Sequence, residues 1–252
     1  MLTSTVSDGI ARITMCNAPV NALSRQWADL FFKIVGELEA RNDWRVLVIC
    51  SSEKVFCAGG DIKQYAGRLD RNDAGELLAT EAAYYQKLFA RISALPQPSI
   101  AEIGGVAAGG GMELALACDL RIASETTKLG LPEVGVGLLP AGGGTQRMTK
   151  LCGLGVAMRL IGGAELITGR EALSLGLVEW AVPSSEIATT AAAIAQHLAA
   201  QPPEALQAAK ACIRAAVDPL TDGFAVELTF PPKLMKTPAT QARIRDFLAK
   251  QK

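Results

Sequence analysis

The spacing of apolar residues divides the chain into short elements of two kinds. Residues 2–6 and Ile10–Met15 flank Asp8-Gly9, which is the strongest short hairpin signal. The stretch from Asn17 to Leu23 (NAPVNAL) predicts a turn, and Ser24 after it is placed to cap a helix. Trp27, Leu30, Phe31, Ile34, Val35 and Leu38 then recur at threes and fours, the mark of one buried helical face. Residues 46–50 form an unbroken apolar run, as expected of a strand covered on both sides. A second helix is predicted over 73–95, with Leu77, Leu78, Tyr85, Leu88, Phe89 and Ile92 on one side and Pro96 and Pro98 stopping it. Ser99–Ile103 is a second buried strand.

A glycine turn follows each buried strand. The first is Val55-Phe-Cys-Ala-Gly-Gly-Asp-Ile-Lys63; the second runs Gly104-Gly-Val-Ala-Ala-Gly-Gly-Gly-Met-Glu113 into LALA. Glycine lets backbone N–H groups approach a ligand with no Cβ in the way. MELALA predicts the first turns of a buried helix, whose N-terminus presents unpaired donors and the positive end of a dipole. Two similar turns can set two amides side by side, which is how a two-donor oxyanion hole is built. The alternatives are plain turns, one capped by Asp61, with Glu113 merely favouring a first helical turn.

Composition narrows the chemistry. The 252 residues are 50% hydrophobic, enough to bury a full core in one large domain or in one domain plus an appendage. Twenty-five basic side chains balance 25 acidic ones, so there is no electrostatic footprint for nucleic acid or an anionic membrane. No run of eighteen apolar residues marks a membrane span, and the N-terminal MLTSTVSDGIARI lacks the pattern of a secretory signal. Cysteines 16, 50, 57, 118, 152 and 212 form no CxxC pair and sit in apolar contexts, as in a reducing, cytoplasmic protein. His197 is the only histidine and lies in an alanine-rich helical pattern, which disfavours a His-based metal site or a Ser-His-Asp triad. No P-loop is present, and no GxGxxG follows a strand. Catalysis is left to carboxylates and backbone amides.

Three motifs in order, FCAGGDI, GGVAAGGGMELALACDLRIA and LGLPEVGVGLLPAGGGTQRM, resemble the crotonase superfamily, specifically its enoyl-CoA hydratases, from about residue 5 to the C-terminus. The resemblance implies an α/β fold, a spiral of ββα repeats over 1–195 that carries the acyl-CoA site, and a helical oligomerisation region over 196–252. It implies a homotrimer or homohexamer acting on an acyl-CoA thioester in lipid metabolism, with no separate cofactor, coenzyme A being part of the substrate, and no metal. The amides of Ala58 and Gly110 would hold the thioester oxygen. Glu113 would activate water for attack at C3, and Glu133 would protonate C2. Ala22, Cys57, Gly59, Gly60, Asp61, Ile62, Gly109, Pro132, Ala141 and Gly142 would contact the substrate. Other outcomes are a double-bond isomerase of the same superfamily or a non-catalytic acyl-CoA binder.

Two places depart from the common hydratase pattern: Ala141 stands where glycine is usual, and IKQYAGRLDRND after Asp61 borders the acyl pocket in an unusual form. Tyr84, Tyr85, Leu88 and Gln64 are candidates to line that pocket, or else simply core. Toward the C-terminus, Thr168-Gly-Arg-Glu171 is a capping box and 178–182 a short strand. Helices are predicted at about 185–200, 203–217, 220–230 and 237–250, with Pro203 and Pro238 in first-turn positions.

Overall fold

The computed structural model describes residues 1–250. The chain opens with the hairpin β1 (Leu2–Ser7) and β2 (Ile10–Met15), followed by α1 (Arg25–Glu39), β3 (Val46–Ser51) and β4 (Val55–Cys57). Then come α2 (Ile62–Ala66), α3 (Ala74–Ala94), β5 (Ser99–Ile103), β6 (Val106–Ala108) and α4 (Gly110–Ala117). β7 (Leu120–Ser124) and β8 (Lys128–Gly130) lead to a 3₁₀ turn at Pro132–Val136, and α5 (Gly144–Ala157) follows. The rest is β9 (Ile167–Thr168), α6 (Gly169–Ser174), β10 (Trp180–Val182), α7 (Ile187–Ala199), α8 (Pro203–Ala215), α9 (Gly223–Leu228), α10 (Pro231–Leu234) and α11 (Pro238–Ala249).

Sheet order shows how the chain winds. One six-stranded sheet runs β1-β2-β3-β5-β7-β10 and one four-stranded sheet runs β4-β6-β8-β9. Each of three successive passes therefore gives one strand to the large sheet and the next to the small one: β3 and β4, β5 and β6, β7 and β8. This is a spiral of ββα units. Its consequence for chemistry is that equivalent turns, those after β4 and β6, stack beside each other through the parallel β4–β6 pairing.

The unbroken apolar run of β3 has a direct cause. Leu47 and Ile49 pack into the main core with Trp27 and Phe31 of α1, whose rings lie 5.0 Å apart. Val46 and Val48 face the other way, and with Ile100 and Ile122 they meet Ile187, Ala191 and Ala195 of α7. Alternate residues of one strand thus enter different clusters. Ser24 caps α1 as expected, its side chain accepting the Trp27 amide at 3.1 Å. His197 is exposed on α7, and the six cysteines are free, three of them buried.

The C-terminal region differs in detail from its pattern. The helix expected over 220–230 is confined to α9, because Asp222 caps it by accepting the Ala225 amide and Pro231-Pro232 cannot continue its hydrogen bonding. The strand expected at 178–182 shrinks to β10. α8 is anchored by Lys210, whose ammonium reaches Asp119 at 2.6 Å and the Gln97 carbonyl at 2.8 Å. Beyond that anchor Leu220, Phe224 and Leu228 stand in solvent at 94%, 84% and 76% exposure, which makes an unusually apolar outer face. No helix of the described residues is long and apolar enough to cross a membrane.

Candidate active site

α4 begins at a backbone position that favours glycine: Gly109 caps it with φ 55°. The first intrahelical bond there runs from the Glu113 amide to Gly109 O, so the amides of Gly110, Gly111 and Met112 have no partner inside the helix. The turn after β4 presses against this helix start. A Cβ on Gly59 would lie 3.0 Å from the Gly110 nitrogen, and one on Gly111 would lie 2.1 Å from Cys57 O. The two glycine turns are therefore neighbours, as their matching pattern implied.

Which amides are free differs from expectation at one position. Ala58, expected as a donor, spends its amide on Val20 O at 3.0 Å. Gly59 O accepts the Leu23 amide at 2.9 Å, and in a planar trans peptide the next N–H points the opposite way. That N–H belongs to Gly60, which has no acceptor among the described residues. Gly60 thus takes the place foreseen for Ala58, beside Gly110.

The two glutamates occupy unlike settings. Glu113 is 4% exposed, and its Oε1 accepts the Gly144 amide at 2.8 Å. Burial pushes its pKa up, and the amides of Gly144 and Gly142 and the charge of Arg147 pull it back. The room for this carboxylate is made by glycine: a Cβ on Gly142 would come within 2.5 Å of Oε2, and one on Gly144 within 3.0 Å of Oε1. Glu133, on the 3₁₀ turn, reaches toward Gly109, where a Cβ would lie 2.9 Å from its Oε1. Its Oε2 is buried without a hydrogen-bond partner. Burial first, and then the charge of Glu113, push its pKa up to about 7 against the pull of its own backbone amide.

A cavity of about 650 Å³ opens here. Of the expected residues, Ala58, Gly59, Gly60, Ile62, Gly109, Gly110, Pro132, Glu133, Ala141 and Gly142 line it. Four do not. Glu113 lies one layer deeper, against Gly142. Cys57 is fully buried, its thiol donating to Asn21 O at 3.1 Å and its pKa pushed up to about 12 by burial. Asp61 caps α2 by accepting the Lys63 amide, and Ala22 is half-buried beside Leu23, which does line the space.

The α3 wall was legible only in part. Tyr85 lines the cavity, but Tyr84 bonds Asp29 under the Arg25 guanidinium, Leu88 is core and Gln64 is exposed beside Arg68. Sequence reasoning missed Leu23, Tyr65, Leu78, Glu81 and the leucines 138 and 139. One signal was available. Gly75, Ala79 and Ala82 share a face with Leu78 and Tyr85, and small residues on the stripe of a long helix leave space that core packing would fill.

Several known proteins are similar to this chain in sequence and fold. A family model described as Enoyl-CoA hydratase/isomerase matches residues 5–252. A Bacillus subtilis protein named "Probable enoyl-CoA hydratase" is 40% identical over 202 residues, 80% of this chain and 77% of its own. A short-chain-enoyl-CoA hydratase of Clostridium acetobutylicum is 37% identical, with 82% of this chain and 78% of that protein covered. The crystal structure of an enoyl-CoA hydratase from Bacillus anthracis superposes with a TM-score of 0.91 at 31% identity, over 99% of this chain and 96% of that one.

Proposed function

The chain belongs to the enoyl-CoA hydratase/isomerase family, and from that premise we propose that it adds water syn across the 2,3 double bond of a 2-enoyl-CoA. The thioester oxygen lies between the Gly60 and Gly110 amides, where the N-terminus of α4 stabilises enolate-like charge. Polarisation makes C3 electrophilic. Glu113 takes a proton from water as it attacks C3, and Glu133 delivers a proton to C2. Coenzyme A is part of the substrate, and the reaction uses no further cofactor.

The observation that carries this reading is the unequal support of the two carboxyls. Glu113 has the Gly144 amide at 2.8 Å and the charge of Arg147 to favour its carboxylate, whereas Glu133 has an unpartnered oxygen and a pKa pushed up to about 7 by burial. A neutral acid beside a carboxylate base is what syn hydration requires. Positioned acid–base groups of this kind supply roughly 10²–10⁴-fold.

We also assign residues 1–195 to the acyl-CoA spiral and 196–252 to contacts between subunits of a homotrimer or homohexamer, on the strength of the exposed apolar face of the C-terminal helices. The deciding assay for the reaction is spectroscopic. Absorbance of a conjugated 2-enoyl-CoA falls on addition of the enzyme if it hydrates. A rise from a 3-enoyl-CoA without hydration would make it an isomerase, and tight acyl-CoA binding with no turnover would make it a binder.

A further inference from the structure

The loop of Ala141 and Gly142 is held from two sides by side chains that are not among the proposed reacting groups. Gln86 Nε2, on α3, donates to Ala141 O at 2.6 Å; Arg147 Nη1, on α5, donates to Gly142 O at 3.0 Å. In a planar trans peptide the C=O of one residue and the N–H of the next point in opposite directions. Fixing Ala141 O on Gln86 therefore also fixes the peptide plane that leads into Gly142, the residue packed on the Glu113 carboxylate so closely that a Cβ on it would lie 2.5 Å from Oε2. The helix that carries Gln86 is also a wall of the cavity, through Tyr85, Ala82 and Leu78. One rigid element thus touches both the space for the acyl group and the loop behind Glu113.

We propose that Gln86 is a positioning residue that holds the Ala141–Gly142 loop against Glu113, and so ties the placement of the water-activating carboxylate to the helix against which the acyl group packs. The proposal rests on the hydration reading above. The charged and titratable groups that face Glu113 are Arg147 from α5, Glu133 from the 3₁₀ turn and Tyr65 from α2. A neutral replacement of Gln86 leaves all three in place and isolates the effect of the loop.

The test compares Gln86→Met, of similar shape but with no donor, with Gln86→Lys, which keeps an N–H donor of similar reach. The position is exposed and both residues are good helix formers, so the fold survives. Loss of one hydrogen bond at the base lowers kcat about 10-fold in Gln86→Met. KM stays within about twofold, because the interaction matters mainly in the transition state. The acid limb of the kcat–pH profile moves to higher pH, since a loosened loop withdraws the backbone that favours the Glu113 carboxylate. Gln86→Lys recovers most of the lost kcat. Parental kcat and an unmoved acid limb in Gln86→Met would overturn the proposal, as would a fall in kcat, KM and Tm together with the limb unmoved. If the parent enzyme hydrates no 2-enoyl-CoA, the functional reading fails separately. The role of Gln86 is then read from ¹³C-carboxyl titration of Glu113, assigned with Glu113→Gln: a higher pKa in Gln86→Met upholds it, and an unchanged one refutes it.

Discussion

Glu113 on α4 accepts the backbone amide of Gly144 at 2.8 Å, so the first turn of α5 closes on a carboxylate 31 residues earlier in the chain. The contact joins two of the glycine-rich stretches and sets a negative side chain at a helix N-terminus, where charge is favoured. Glu133 has no equivalent donor for its Oε2. Burial raises the pKa of both carboxyls, and the Gly144 amide pulls back only that of Glu113.

Crowding at this contact is directly testable. A Cβ on Gly142 would lie 2.5 Å from Glu113 Oε2, so Gly142→Ala must displace the carboxylate or the loop. We expect kcat to fall about 100-fold, the lower range for loss of a positioned acid–base group, with a far-UV spectrum like the parent's. Steady-state kinetics on a 2-enoyl-CoA check this, and an unchanged kcat would mean that the carboxylate does not need its observed place.

How much of this was visible in the sequence depends on how local each cause is. The strand β3 was legible because two clusters cover it, leaving no polar position among residues 46–50. α1 was legible from one stripe and one cap. The strands of the small sheet, two or three residues each, are too short to show a period, and β4 and β6 were marked only by the glycine turns that follow them. The 3₁₀ turn at Pro132–Val136 was hidden because Val134 and Val136 are exposed and the turn buries no apolar face to leave a pattern. The exchange of Ala58 for Gly60 was out of reach for another reason. Which amide stays free depends on Val20 O and the Leu23 amide, distant partners that nothing in AGGD reveals.

Stability should depend on pH through the same carboxyls. The Glu133 pKa is raised from 4.5 to about 7 in the folded protein, so between these values the folded state binds more protons than the unfolded one. Stability from this group is full below about 4.5 and is lost as pH rises through 7; the raised pKa of Glu113 acts in the same direction. Glu133→Gln cannot ionise there. Discounted for water reaching the carboxyl from the cavity, the variant should gain about 1–2 kcal/mol over the parent at pH 8 and little at pH 5. Calorimetric melts at the two pH values decide it, and a difference independent of pH would contradict the assignment.

Assembly offers a prediction from the opposite side of the chain. Leu220 at 94% and Phe224 at 84% exposure are costly to leave in water, and contact with a second copy would bury them. Sedimentation should give three or six chains, and Phe224→Glu should shift the distribution toward smaller species. A parent that sediments as a monomer would count against this use of the C-terminal helices.

The sharpest prediction separates the two glutamates by role. Glu133→Gln keeps shape and hydrogen bonding but cannot act as a carboxylic acid, so protonation at C2 should fail. Glu113→Gln should chiefly impair the activation of water for C3. Both should lower kcat roughly 10²–10⁴-fold and leave acyl-CoA binding close to the parent's, because each acts mainly in the transition state. A saturated acyl-CoA in deuterated water distinguishes them, since it presents a C2 proton and no C3 electrophile. On the proposed binding mode its thioester oxygen would still sit on the Gly60 and Gly110 amides, so exchange at C2 would need only enolate stabilisation and one base. We expect exchange followed by NMR to vanish in Glu133→Gln and to survive in part in Glu113→Gln. The reverse pattern would swap the two roles while leaving the pair catalytic. Near-parental hydration by both variants would remove the carboxyls from the mechanism and leave the oxyanion amides as the only catalytic element of the site.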